Sequence, residues 1–254
     1  LFEFSNGAEN QVLFLSPTKQ TTNTIWGALD DGDALFALSA GDVTYNTWMH
    51  IVLVIDETSN IVTIYVNGTS TATTVPTQFP ERIPRTNSYI GRSIYTADDY
   101  LDGQIKSFNI WNRALTATEI ETLYNQGRNY NLYGLRLDAT QDLLHSFFFE
   151  AGNYQDRTGN STVTLHNSPT VDNDGLNLVR ASSQYVSLDS THIGDSTTLA
   201  FWFKVSSSNS YQRLFHFKNS SDGDVIAISQ YAGNSEFYMA VSQGTGSQWA
   251  GAGD

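Results

Sequence analysis

Apolar and polar residues alternate with a period of two along most of this chain, the pattern of strands with one buried face. LFEF and QVLFLS within residues 1–16 read as two strands, followed by strands at 24–29 and 34–38. The run WMHIVLVI at 48–55 is the strongest apolar strand; a turn at 56–60 brings 61–66 back on it as a hairpin, and 69–75 continues in extended form. Pro76, Pro80 and Pro84 mark an irregular connection or a sheet edge. Further strands are predicted at 88–90, 143–149, 162–165, 177–179, 185–188, 199–205, 214–217, 225–229 and 236–241.

One stretch changes period. Residues 102–127 (DGQIKSFNIWNRALTATEIETLYNQG) begin as a strand with Ile105, Phe108 and Ile110 alternating. They then pass to helical spacing at Ile120, Leu123 and Tyr124. Thr116 with Glu119 three residues on is a capping box, Leu115 and Ile120 form a hydrophobic staple, and Gly127 suits the position after the last turn. The expected fold is therefore all-β, a two-sheet antiparallel sandwich with one short helix near 116–126 that clips onto it.

Composition narrows the function classes. The 254 residues are 40% hydrophobic, enough for a substantial core, with no run of about 18 apolar residues that would cross a membrane. Thirteen basic residues stand against 26 acidic ones, for a net charge of −13. Such a surface repels phosphate backbones, so nucleic acid is not an expected partner. The chain has no cysteine, which removes disulfides and thiolate metal sites. Richness in Thr, Ser, Asn and Gly with few Lys is common in secreted β-proteins, and three sequons, at Asn67, Asn160 and Asn219, fit N-linked glycans there. Asn67-Gly68 after IVTIYV is a preferred hairpin turn, which predicts an exposed tip.

The chain also repeats itself out of register. LFEFSN at 1–6 matches LFHFKN at 214–219, 213 residues on, and Val12, Leu13 and Leu15 match Val225, Ile226 and Ile228. This predicts residues 1–134 as the later part of one jelly roll and 135–254 as the earlier part of a second, similar one. Each part alone would expose sheet edges and a broad apolar face, to be covered by a neighbouring segment or another chain.

The motifs occur in a fixed order: WMHIVLVID at 48–56, IYVNG at 64–68, YIG at 89–91, LDGQI at 101–105, NIWNRALT at 109–116, then Glu119-Ile120 and LYNQG at 123–127. In this order they resemble the laminin-G-like, concanavalin A-like jelly-roll family. Residues 144–149, DRTGN at 156–160, 184–188 and LAFWF at 199–203 resemble the opening strands of the same family. The resemblance implies an antiparallel jelly roll, mostly extracellular, serving in adhesion, glycan binding or as repeats, with one Ca²⁺ in many members.

Hard Ca²⁺ asks for six to eight oxygens from clustered Asp, Asn and carbonyls. The resemblance places such a site at Asp156, beside Asn160, and the DNDG turn offers Asp172 and Asp174. Lys106, just after the G-x-I of the closing motif, puts a cation where the family often has an acid. Catalytic chemistry is not written in the chain. No strand carries acids alternating as a glycosidase requires, and the five His have no metal spacing. His50, His145 and His216 fall within strands, where packing is the common role. Trp48, Trp111 and Trp202 lie in apolar alternation and are expected in the core; Tyr100 and Tyr154 are among the aromatics of the type that stacks on sugars. The leading expectation is a non-enzymatic structural repeat of an extracellular fibre or cell-surface array. Its partners would be copies of itself or adjacent repeats in a polymer. No cofactor is required; Ca²⁺ is a candidate ligand, and N-linked glycans are expected. The alternative is a carbohydrate- or receptor-binding adhesion module, with glycans as partners.

Overall fold

A computed structural model describes residues 8–9, 12–16, 25–30, 35–41, 44–75, 79, 83–85, 87–92, 99–130, 132, 141–189, 191–206, 213–218, 225–230, 237–242 and 245–246. The first strands are β1 (Ala8–Glu9), β2 (Val12–Ser16), β3 (Ile25–Asp30), β4 (Leu35–Gly41), β5 (Met49–Asp56), β6 (Ile61–Val66) and β7 (Thr69–Thr74). β8 (Ile83–Arg85), β9 (Asn87–Ile90) and β10 (Gly103–Trp111) lead into helix α1 (Ala117–Gln126). Then come β11 (Leu143–Phe148), β12 (Val163–His166), β13 (Thr170–Asp172), β14 (Gly175–Leu178), β15 (Tyr185–Leu188), β16 (Thr191–Ile193) and β17 (Thr197–Val205). β18 (Arg213–Lys218), β19 (Val225–Gln230), β20 (Phe237–Ser242) and β21 (Thr245–Gly246) complete the described strands.

Two large antiparallel sheets face each other. The first runs β13-β14-β10-β17-β5-β6-β7 with β11 also on β10; the second runs β12-β15-β9-β18-β19-β20-β2-β3-β4. Their inner faces share one core that includes Ile51, Leu53, Ile105, Phe108, Phe147, Phe201, Phe203 and Phe217. The fold is thus the expected all-β two-sheet sandwich with one short helix.

Described strands of residues 1–134 and 135–254 pair with one another. β17, from the later part, pairs on one side with β10 and on the other with β5, both from the earlier part. In the second sheet β9 lies between β15 and β18 in the same way. Both large sheets still end in edge strands, β13 and β7 in the first and β12 and β4 in the second. The physical reason for the pairing between the parts is in the core: the Phe108 ring lies 5.5 Å from Phe201, 5.9 Å from Phe217 and 6.1 Å from Phe147, all three from the other part. The segment 133–140, where one part gives way to the next, lies outside the described residues, as does LFEFSN. Val12 and Val225, 213 positions apart, fall in β2 and β19 of one sheet.

The long apolar run at 48–55 is continuous because β5 is buried on both faces. Met49, Ile51, Leu53 and Ile55 enter the sandwich core. Val52 and Val54 enter a second cluster with Trp111, Leu115, Ile120, Leu123 and Ala200. That second cluster is roofed by α1. The helix forms as the pattern requires: Thr116 Oγ1 accepts from the Glu119 backbone N–H, the Glu119 carboxylate accepts from the Thr116 N–H, and Gly127 closes the last turn with φ +76°. Arg113 donates to both Glu119 oxygens, at 2.6 and 3.0 Å. That hydrogen-bonded pair, ahead of the cap bonds, holds the Glu119 carboxyl down at about 2 against the opposing effect of burial. Thr116→Ala is expected to cost about 1 kcal/mol in urea denaturation, with the sheets intact by circular dichroism.

Three expectations need correction. The Asn67-Gly68 turn is not an exposed tip. Gly68, at φ +80°, sits under Tyr124 so closely that a Cβ would come within 2.8 Å of its ring, and Asn67 Oδ1 accepts from the His50 N–H at 2.9 Å. The helix packs over the turn, which period alone does not reveal. Trp48 and Trp202 are half-buried, unlike Trp111, which is fully buried. Trp48 lies between the Arg128 guanidinium and the Lys204 ammonium, 4.8 and 5.3 Å from its ring centre. Trp202 stacks on Tyr124 at 5.7 Å. Lastly, β13 and β16 were not foreseen, being three-residue strands too short to show a period.

Candidate functional site

Sequence reasoning named four residues as calcium ligands, and the structure gives each of them other partners. Asp156 follows β11 and is buried. Its Oδ1 accepts from the backbone N–H of Ser146 and Thr158 and from the Thr158 hydroxyl, and its Oδ2 meets His145 Nδ1 at 2.8 Å. Burial alone would push this carboxyl up. The His145 hydrogen bond, the Ser146 N–H, the His145 charge and the Thr158 N–H together carry it below its ordinary value. The pair is an internal strut. The His145 ring stacks beside that of Phe147 on β11, and Asp156 ties the following loop to the strand.

Asp172 and Asp174 belong to a tight turn between β13 and β14. Asp172 Oδ1 accepts from the N–H of Asp174 and Gly175, and its Oδ2 from the Asn177 amide. Gly175, at φ +133°, lies so near β10 that a Cβ would come within 2.6 Å of the Ile105 oxygen. Two cations already serve this turn. Lys106 Nζ donates to the Asn173 carbonyl oxygen at 2.8 Å, and Arg128 pairs with Asp174 at 3.2 Å. Burial lowers the Lys106 ammonium, opposed by the nearby acids Glu150, Asp174 and Asp172. Among the described residues, no three or more His, Asp or Glu gather where they could hold a metal ion. Asp156, Asp172 and Asp174 therefore form no common acidic centre. Asn160 is exposed, and its side-chain amide donates to the Leu144 oxygen at 2.7 Å.

The sequons differ in their settings. Asn160 is open to solvent, and Asn67 is half-buried beneath the helix. Asn219 lies outside the described residues.

Two further places concentrate polar and aromatic groups. On the outer face of the second sheet, His166 stacks on Tyr185 at 4.2 Å, and the Arg92 guanidinium lies 4.7 and 4.8 Å from the rings of Tyr185 and Tyr89. Tyr100, one of the candidate sugar-stacking residues, joins them at 6.0 Å from Tyr185. These rings come from β9, β12 and β15 and the loop after β9, so only the strand pairing unites them. Tyr154 instead packs against the core.

The second place lies beneath α1. His50 of β5 is buried, its ring 5.0 Å from Trp202. Burial drives its pKa from 6.5 to about 3. The unfolded chain thus takes up this proton first, so the stability tied to neutral His50 is complete above pH 6.5 and is lost as pH falls toward about 3. The His50 ring resonances are expected to stay unchanged between about pH 7 and 4 in a titration followed by NMR, where an ordinary histidine moves through its midpoint near 6.5. A midpoint of about 6 would show that the ring opens to bulk solvent.

These features define a two-sheet antiparallel sandwich of jelly-roll type, with a structural helix on one sheet. Residues 1–121 match a laminin G family model, described as the concanavalin A-like lectin/glucanases superfamily. No curated protein matches the chain. The matched residues carry the WMHIVLVID, IYVNG and NIWNRALT motifs through to the first turn of α1.

Proposed function

We propose that this chain is a non-enzymatic structural module of an extracellular fibre or cell-surface array. In it, the closing part of one jelly roll and the opening part of the next complete a single sandwich. The observation that carries this reading is the position of β17 between β10 and β5, with the later part's central strand flanked by strands of the earlier part. Any neighbouring repeat offers the same strands, so the same contacts serve within a chain or between chains. The 213-residue sequence repeat supports an array, and an acidic surface with an exposed sequon at Asn160 supports a secreted setting.

The test uses the absence of cysteine. Gln104 and Lys204 are register partners across β10 and β17, so Gln104→Cys with Lys204→Cys reports where the strand pair closes. A covalent ladder on a non-reducing gel, together with regular filaments in electron micrographs of native material, is the expected outcome for exchange between chains. A disulfide confined to monomers, with no filaments in native material, removes the fibre reading.

A second reading, a glycan- or receptor-binding adhesion module, is favoured by the partly exposed Tyr89, Tyr185, His166 and Arg92 group. Planar rings with a guanidinium are suited to stacking and hydrogen bonding. A glycan array probed with the wild type and a Tyr185→Ala variant separates the two readings. Reproducible binding lost in the variant supports adhesion.

A further inference from the structure

Helix α1 does not close evenly on the sheet beneath it. On the helix side of β17, Ala200 lies between the larger Trp202 and Thr198. The space over that small residue is not filled. It measures about 280 Å³ counted out to its open mouth, and its enclosed part is water-sized. Trp111, Trp202 and Leu123 give it apolar walls, and His50, Ser107, Asn109 and Tyr130 supply polar groups.

Two atoms of that lining are conspicuous. His50 Nδ1 and Tyr130 Oη are buried, and neither has a hydrogen-bond partner among the described residues. His50 is only 3% exposed. Buried polar atoms are normally paired, so two unpaired ones bordering one cavity point to a missing guest. Among the described residues, no Asp, Glu, Lys or Arg lines the space. Gly127, just past the helix C-terminus, is on its wall, and the carbonyl end of a helix disfavours anions. A hydroxyl group meets these conditions, because it donates and accepts at once and carries no charge.

We propose that this cavity binds the hydroxyl group of a small neutral polyol, bridging His50 Nδ1 and Tyr130 Oη, with the carbon skeleton against the Trp202 wall. Water is the natural occupant when no polyol is present.

The experiment titrates the intact 254-residue chain with glycerol and follows the His50, Tyr130 and Trp202 resonances by NMR, with acetate as the charged comparison. Saturable shifts confined to these residues are expected with glycerol and not with acetate. Ala200→Leu, which fills the space, is expected to abolish them. Tyr130→Phe keeps the packing and is expected to weaken binding by about fivefold, the equivalent of one lost hydrogen bond. Should Ala200→Leu fail to fold, the Tyr130→Phe affinity decides alone. Glycerol shifts that are absent, linear without saturation, matched by acetate or unchanged in the variants overturn the proposal. So does a long-lived bound water that glycerol never displaces.

Discussion

Phe108→Ala is expected to remove about 3–5 kcal/mol of stability, the usual cost of deleting a fully buried aromatic side chain. Phe108 has no exposed surface, and its ring meets Phe147, Phe201 and Phe217. The loss has two parts, the transfer of the ring to water and the cavity left among partners that relax only partially. Because those three partners come from the later half of the chain, the substitution weakens the contact that joins the halves. Urea denaturation followed by tryptophan fluorescence measures it. For a chain of this size the melting temperature is expected to fall by roughly 10 °C. A loss under about 1 kcal/mol would mean that the two halves do not share this core. A variant that unfolds in two separated steps would show that the halves have become independent.

Asp156→Ala is expected to cost a similar amount, about 3–5 kcal/mol, by a different mechanism. The substitution leaves His145 Nδ1 and the N–H groups of Ser146 and Thr158 buried without their acceptor. Asp156→Asn is the informative companion, since it keeps the shape and removes the charge. The pH dependence follows from the direction of the shift. The folded carboxyl lies below its ordinary value, so the unfolded chain binds the proton more readily. The stabilisation is complete above the ordinary aspartate value, about 4, and disappears as pH falls through the lower folded value. Urea midpoints between about pH 5 and 2 are expected to drop more steeply for the wild type than for Asp156→Asn. Parallel slopes would show that Asp156 has no part in acid unfolding.

The two substitutions probe different layers of the same fold. Phe108 reports on apolar closure between the sheets, and Asp156 on a polar strut holding a loop to β11. Neither lies on the cavity beneath α1 or on the outer Tyr89–Tyr185 surface. The binding proposed at those places can therefore be tested separately from stability.

What could be read in advance was local. The capping box at Thr116 and Glu119, the glycine at the helix end and the alternation in β10 and β17 are relations between residues a few positions apart, where backbone geometry sets which side chains meet. Lys106 was also legible, as a cation in a position that a metal site would give to an acid. The partner of Asp156 was not legible along the chain, because His145 is a strand residue eleven positions earlier with no motif around it. The same limit applies to Asn67-Gly68, a sound turn signal whose exposure is decided by Tyr124 on a helix far along the chain.

The sequence by itself determined the class of fold, the site and caps of the helix, and the acidic and cysteine-free chemistry. Those properties depend on short-range periodicity and composition. Only the tertiary structure decided that β17 enters between β10 and β5. It alone also united His50 and Tyr130 at one cavity and turned Asp156 inward to His145. Each of these requires strands far apart in the chain to pair. That pairing is chosen by which apolar faces cover one another over the whole sandwich, and no local pattern records it.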